Sequence, residues 1–527
     1  MTFDHAPFLF GPALLHWVLV FGSFAGIVFS VSVLIALGVY GAPGPTAVMG
    51  RVWQGLHDFL GISPRRIWAL SLLTIKEAVR RKALFVFVVF ASLVMFAGWF
   101  LESDLRADLQ VKNAVGFALT TISWLTLPVV LLLSCWGLPE DIRLRSIHTI
   151  VTKPVRRNEI VMGRILGFSI VAGLIVSLMG TVGYVWIRRQ VPNNAELICR
   201  VPIYGELSFL DREGNLTDKG VNTGDIWEFR SYVEGGTRSS AIYKFPMDQV
   251  ADKVRFESRF EAFRTHKGKI GQSLLVRYVL VNPTKGLRVP LESFEVVEFG
   301  LNEKTLERQI SFFDEDKNDN RTVDLFDDVV DQNQLTVEVQ CLDAGQYLGM
   351  SRPDMFIRMP DRSFMAGYFK AVVGVLLLSI FLISIGVTSS TFVKGPVSIL
   401  LTFTVLIVGQ GFREFMLKLI TGEQKGGGPI ESWYRLITHM NDTLQLPDNF
   451  GVKLMQSIDN LFMGGLWLVQ HLIPDLSYFV MSPYVANGFD VPWSTAMAKC
   501  VAMTVGYLVP CLLVGYYSLT LRELEAK

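Results

Sequence analysis

Residues 139–164, PEDIRLRSIHTIVTKPVRRNEIVMGR, form a charged island between two apolar runs, and the rest of the chain is read outward from them. The run before the island, 114–138, and the run after it, 165–187, carry no charged side chain, and each is long enough to cross a bilayer as a helix. The island holds Glu140, Asp141, Arg143, Arg145, Lys153, Arg156, Arg157, Glu159 and Arg164. At roughly 2.5–3.5 kcal/mol per inserted charge it cannot enter hydrocarbon, and its excess of Lys and Arg assigns it to the cytoplasmic side. Ile142, Leu144, Ile147 and Ile150 recur at near-helical spacing up to Thr152. Lys153-Pro154 then disfavours continuation, because a residue before proline avoids the helical region. The pattern predicts a short amphipathic helix, a basic turn, and a membrane helix that Asn158 is placed to cap. An ordinary positively charged connecting loop accounts for the same charges.

Half of the 527 residues are hydrophobic and the mean hydropathy is +0.38, which in a chain of this length implies a multi-span membrane protein. A net charge of +1 implies no general attraction to nucleic acid, and none is expected as a partner. Cys135, Cys500 and Cys511 lie in apolar runs, and Cys199 and Cys341 in a polar region. No CxxC or Cys/His cluster has metal-site spacing, so neither a metal nor a cofactor is expected on this chain.

Upstream, residues 6–50 contain no charge and one span fits within 9–40. Arg51, Arg65 and Arg66 follow it and nothing basic precedes it, so the N-terminus is expected outside. Gly22 and Gly26 form a small-xxx-small pair suited to helix packing. Across 64–83, Trp68, Leu72, Ile75 and Val79 share one helical face, opposite Lys76, Glu77, Arg80, Arg81 and Lys82. This predicts an amphipathic helix along the membrane surface, leading into a span at 84–101.

The two charged stretches carry a family resemblance. The order Glu140, Thr149, Lys153, Pro154, Arg157, Glu159, Gly163, Gly167 leading into a span resembles the cytoplasmic loop of type-two ABC exporter permeases, and LTIKEAVRRKALFVFVVF at 73–90 resembles their elbow helix and first core span. Family members often have Gly directly before the threonine, where this chain has Ile147-His148-Thr149. The resemblance implies that the island is a coupling helix seated on a separate ABC ATPase subunit, with Glu140, Asp141, Arg143, Arg145, Thr149, Lys153, Arg156 and Arg157 as ATPase-coupling residues. It also implies a permease dimer, formed with a second copy or a paralogue, in the cytoplasmic (inner) membrane among its lipids. ATP and magnesium would then bind the partner. No GxxxxGK[ST] loop occurs in this chain, and Gly426-Gly427-Gly428 lacks the following Lys-Ser or Lys-Thr, so ATP hydrolysis is not expected here. Family substrates include drugs, lipids and polysaccharides.

Downstream, 191–365 turns polar, with alternating apolar segments at 254–263, 273–281, 293–299 and 335–341. These predict an inserted extracytoplasmic all-β domain, a β-sandwich by size. Within it Asp316, Asn318, Asn320 and Asp327 follow part of a calcium-loop pattern, with Arg321 in place of the glycine; a solvated acidic turn fits equally. Cys199 and Cys341 form a disulfide if geometry and compartment allow. Spans are expected at 371–393, 395–412 and 501–521, giving an α-helical polytopic protein of about seven spans. A re-entrant or interfacial segment is expected within 461–479. The domain boundaries are thus 1–50 for an extra N-terminal helix, 51–83 for linker and elbow, 84–190 for the first core half, 191–365 for the β-rich domain and 366–527 for the second core half. His471 and Asp475, four residues apart, fit a proton relay or, more simply, a structural hydrogen bond. The chief alternative function is a membrane-anchored extracytoplasmic binding or sensory protein without transport, and a third is a membrane-embedded enzyme.

Overall fold

The computed structural model describes residues 8–82, 85–97, 107–143, 155–191, 197–221, 230–248, 253–264, 273–298, 300–314, 319–421, 427–441, 444, 446–447 and 449–521. The chain divides into a helical unit and a β unit, the latter built from Ile198–Phe364 and Gly488–Asp490.

In the helical unit, α1 (Phe10–Tyr40), α2 (Gly44–Leu60), α3 (Pro64–Arg80), α4 (Phe85–Ala97), α5 (Ala107–Arg143) and α6 (Arg157–Gln190) precede the β unit. After it come α7 (Phe364–Ser390), α8 (Gly395–Ile407), α9 (Arg413–Ile420), α10 (Pro429–Thr438), α11 (Phe450–Leu472), α12 (Ser482–Ala486) and α13 (Ala498–Leu521). Among the described residues six helices are long and apolar enough to cross a membrane: α1, α5, α6, α7, Gly395–Phe412, and Trp493–Leu521. The chain is a multi-span membrane protein with a separate β-sheet region. The expected span at 84–101 corresponds to α4, whose described helix is 13 residues, shorter than a bilayer crossing.

Several elements depart from the sequence reading. Pro128 and Pro139 both lie inside α5, which includes Glu140, Asp141 and Arg143, while the remainder of the short amphipathic helix expected up to Thr152 lies outside the described residues. The α2 helix has no counterpart among the expected elements; it carries Pro45 in its first turn and ends at Gly61. The segment expected to be apolar only over 461–474 is part of the 23-residue α11, followed by a 3-10 turn at Leu476–Phe479. A Cβ added to Gly22 or Gly26 on α1 would meet nothing within 4 Å, so this small-residue pair packs against no described part of the chain.

The β unit is antiparallel throughout its strand pairs. A seven-stranded sheet runs β10 (Phe294–Val296), β8 (Leu274–Asn282), β14 (Gln334–Cys341), β5 (Ser240–Pro246), β2 (Glu206–Leu210), β3 (Leu216–Thr217), with β9 (Leu287–Pro290) also on β8. A four-stranded sheet runs β1 (Ile198–Tyr204), β16 (Met355–Ser363), β6 (Val254–Ser258), β11 (Asn302–Leu306). Smaller sheets join β4 (Ser231–Glu234), β15 (Gln346–Met350) and β7 (Glu261–Arg264), and pair β12 (Gln309–Asp314) with β13 (Asp319–Asp324). Central β14 points Leu335, Val337 and Val339 into a core shared with Tyr243, Phe245, Phe256 and Tyr278. Alternation of period two explains that face. The opposite face is also buried, and Glu338 there is paired with Arg288 at 2.5 Å.

The edge of β1 is covered by a distant piece of chain. Arg200 N–H donates to the Gly488 carbonyl at 2.8 Å and Asp490 N–H to the Arg200 carbonyl at 2.9 Å. The Arg200 guanidinium lies 4.6 Å from the Phe489 ring centre, and Arg362 pairs with the buried Asp490 at 2.8 Å. This strap satisfies backbone groups that an edge strand otherwise exposes. Beneath it, burial pushes the Glu257 carboxyl above its usual range, opposed by its ion pairs to Arg200 and Arg358.

Candidate functional site

The sequence around the island dictates two helix starts, and one carboxylate serves both. Pro64 occupies the first turn of α3 and Ser63 precedes it, while α6 begins at Arg157. Glu159, in the first turn of α6 and fully buried, accepts hydrogen bonds from Ser63 N–H at 2.9 Å and Arg156 N–H at 3.0 Å, and pairs with Arg66 at 3.0 Å. A negative charge there meets the unsatisfied N–H groups and positive dipole ends of both helices. Asn158, expected as the cap, instead donates to the Asp58 carbonyl at 2.9 Å and accepts from Glu159 N–H.

Around this point the chain closes on itself. Arg156 donates to the carbonyls of His57 and Asp58, each at 3.0 Å, while the Asp58 carboxylate accepts from Tyr516 Oη at 2.8 Å. Arg157 donates to the Leu519 carbonyl at 3.1 Å, so the end of α2, the start of α6 and the end of α13 are tied together.

Further along α6, Arg164 is 7% exposed and faces two carboxylates. It contacts Glu77 of α3 at 2.5 Å and pairs directly with Asp141 of α5, and Glu77 in turn holds Arg81 at 2.7 Å. Two guanidinium groups thus balance two carboxylates, which is the condition for keeping such charges away from water. Leu70, Leu73, Thr74, Leu138 and Ile160 line a small cavity beside Asp141 and Arg164. The helices approach closely because α6 carries Gly163 and Gly167. A Cβ on Gly163 would lie 2.6 Å from Leu70 Cβ, and one on Gly167 would lie 2.6 Å from Thr74 Cβ. Ser71 Oγ also donates to the Gly163 carbonyl at 3.1 Å.

Of the residues singled out from sequence, this cluster gathers Asp141, Arg156, Arg157, Glu159, Gly163 and Gly167. Glu140 and Arg143 pair with each other at 2.6 Å on the exposed side of α5. Arg145, Thr149 and Lys153 lie outside the described residues, as do Asp316 and Asn318. Sequence reading missed Asp58, Arg66 and Tyr516 as partners; the Ser63-Pro64 helix start was the available signal for the first turn that Glu159 caps.

The other candidate residues do not form the sites weighed for them among the described residues. Asn320 lies in β13 opposite Phe313, whereas Asp327 lies in the turn Leu325–Val329 with its carboxylate 3.3 Å from Arg308, so these two do not converge as calcium ligands. Among the described residues no group of three or more His, Cys, Asp or Glu is arranged to hold a metal. Cys199 and Cys341 are not disulfide-bonded: both are buried thiols, one opposite Arg362 on β16 and the other opposite Val276 on β8. The His471 ring nitrogen bonds the Trp467 carbonyl at 2.8 Å, whereas Asp475 accepts from Ser477 and faces Arg413 at 3.7 Å, so they form no relay. No protein-family model matches the chain, and no curated protein matches its sequence.

Proposed function

We propose that this chain is the membrane-spanning permease subunit of an ATP-driven exporter in the cytoplasmic membrane, working as a dimer with separate ATPase subunits that bind ATP and magnesium. The observation that carries the reading is the knot of Glu159, Arg164, Glu77 and Asp141, which anchors both ends of the charged island to the surface helix α3. A loop that only connects two spans has no need of buried charges at its ends, because exposed charges alone keep it out of the bilayer. A loop that passes force from a partner needs rigid attachments. In this reading α4 is the first core span, α1 is an added one, and the β unit is an extracytoplasmic sandwich whose substrate or partner contacts are separate from the coupling site.

The test is affinity purification of the tagged chain from its native membrane, followed by mass spectrometry for a P-loop ATPase and an ATP hydrolysis assay. Arg143→Glu with Arg145→Glu is expected to leave membrane insertion intact while reducing ATPase recovery and stimulated hydrolysis at least about tenfold, in line with the several kcal/mol that a charge reversal costs at a complementary interface. Lys304→Glu in the β unit is the control and is expected to retain both. Equal activity of the two variants would falsify the coupling assignment.

A further inference from the structure

The contact between α10 and α11 buries charged side chains, while large apolar side chains of both helices lie outside it. The buried residues of α10 include Glu431 and Arg435, and the buried residue of α11 is Asp459. Asp459 accepts from the N–H groups of Ile430 and Glu431, both at 2.9 Å, and so caps α10 from its neighbour. Glu431 pairs with Arg435 at 2.7 Å, and Arg435 also donates to the carbonyls of Asn441 and Leu444, each at 2.8 Å. Gly428 is required where the helices meet, since a Cβ there would lie 2.4 Å from Asp459 Cγ. The charged groups of the contact thus satisfy one another, leaving no polar demand on the surroundings.

Outside, Trp433 and Ile437 of α10 are exposed, and on α11 Leu454, Ile458, Leu461 and Leu468 follow spacings of four, three and seven residues on one face. Leu461 is 80% exposed. Lys453, Gln456 and Asn460 occupy another face of α11, also exposed. A contiguous apolar stripe beside a polar one is the pattern of a helix lying in a membrane interface. Neither helix is among the six that qualify to cross. The stripe also ends at the membrane-crossing wall: Tyr507 Oη of α13 donates to the Leu472 carbonyl at 2.8 Å. Arg413, which follows the crossing helix Gly395–Phe412, donates to the carbonyls of Gln470 and Ile473 at 3.1 and 2.8 Å.

We infer that the α10–α11 hairpin is a lipid-interface element, lying in the headgroup boundary of the bilayer that the six helices cross, with the α11 stripe toward the acyl chains and the face of Gln456 and Asn460 toward water. The occupant is phospholipid because the stripe is continuous with helices whose outward residues already require hydrocarbon, and because Glu431, Arg435 and Asp459 are closed within the hairpin while the exposed Lys453 lies on its polar face. The inference is independent of the permease reading.

The test uses the full chain in dioleoyl phosphatidylcholine vesicles, with nitroxide labels on Leu461→Cys, Ile437→Cys and Gln456→Cys, each at an exposed position. Collisional relaxation is measured with oxygen, which partitions into the bilayer, and with a water-soluble nickel chelate. The expected result is an oxygen-to-nickel accessibility ratio several-fold higher at 461 and 437 than at 456. Equal ratios with high nickel access would place the hairpin in water and overturn the inference. High oxygen access at all three sites would place it across the bilayer, and spin–spin broadening with low access to both reagents would make the stripe a contact between copies; either result also overturns it.

Discussion

Arg164 is a guanidinium shared by Glu77 and Asp141 with almost no water around it, so its removal strands two partly buried carboxylates. Breaking a buried ion pair from one side costs about 3–5 kcal/mol, and the partial exposure of the carboxylates places Arg164→Ala nearer about 2–3 kcal/mol. Arg164→Lys is expected to recover part of the loss, since a single ammonium cannot span both acids as the planar fork does. Thermal unfolding in detergent, with Glu77→Gln/Asp141→Asn added to Arg164→Ala as the relieved background, measures this. In the β unit, burial pushes the Cys341 thiol up to about 11 from its ordinary 9.0. A raised pKa means that the folded state holds its proton more tightly. The contribution of this thiol to stability is therefore intact below the unfolded value and lost as pH rises through about 11. Native protein at neutral pH is expected to leave Cys341 unmodified by maleimide, with labelling only after denaturation. Cys341→Ala should remove one component of the alkaline loss of stability, which pH-dependent melting curves will show.

At the scale of elements, the crossing of α3 and α6 rests on the absence of side chains at two positions one helical turn apart. At Gly167 the nearest obstacles to a Cβ are Thr74 Cβ at 2.6 Å and the Ser71 carbonyl at 2.9 Å, neither of which is the far end of a flexible chain. Gly167→Val is therefore expected to lower stability by about 2–3 kcal/mol through overpacking. Gly173→Val on the same helix, where the nearest atoms are the tips of Leu376 at 3.8 Å, should cost much less. The difference in detergent melting temperature between the two variants is the measurement, and equal losses would reflect helix propensity instead of packing. Both glycines of the crossing are singled out in the sequence only through the family resemblance, although their four-residue small spacing is also a helix-packing pattern. The same spacing at Gly22 and Gly26 meets no described part of the chain. Spacing sets which face of a helix is smooth, but not which neighbour reaches it.

For the molecule as a whole, the sidedness of the proposed reading is checked by thiol labelling in intact cells. Leu216→Cys, at an exposed position in the β unit, is expected to react with an impermeant maleimide from outside, whereas Arg143→Cys, on the exposed side of α5 beside Glu140, should react only after permeabilisation. Labelling of Arg143→Cys in sealed cells would reverse the orientation of every span. The six long apolar helices, the polar insertion and the amphipathic pattern of α3 were legible in the sequence itself. Long charge-free runs, alternation of period two and apolar residues of period 3.6 each follow from the solvent a segment meets locally. Three features needed the tertiary structure: continuation of α5 through Pro139 to Arg143, closure of the β1 edge by Gly488–Asp490, and the use of Glu159 to cap two helices at once. Each depends on groups that local sequence does not bring together. A proline is tolerated in a helix, an edge strand covered and an acid buried only when a partner from elsewhere satisfies the backbone group or charge left behind, and no local pattern records that partner.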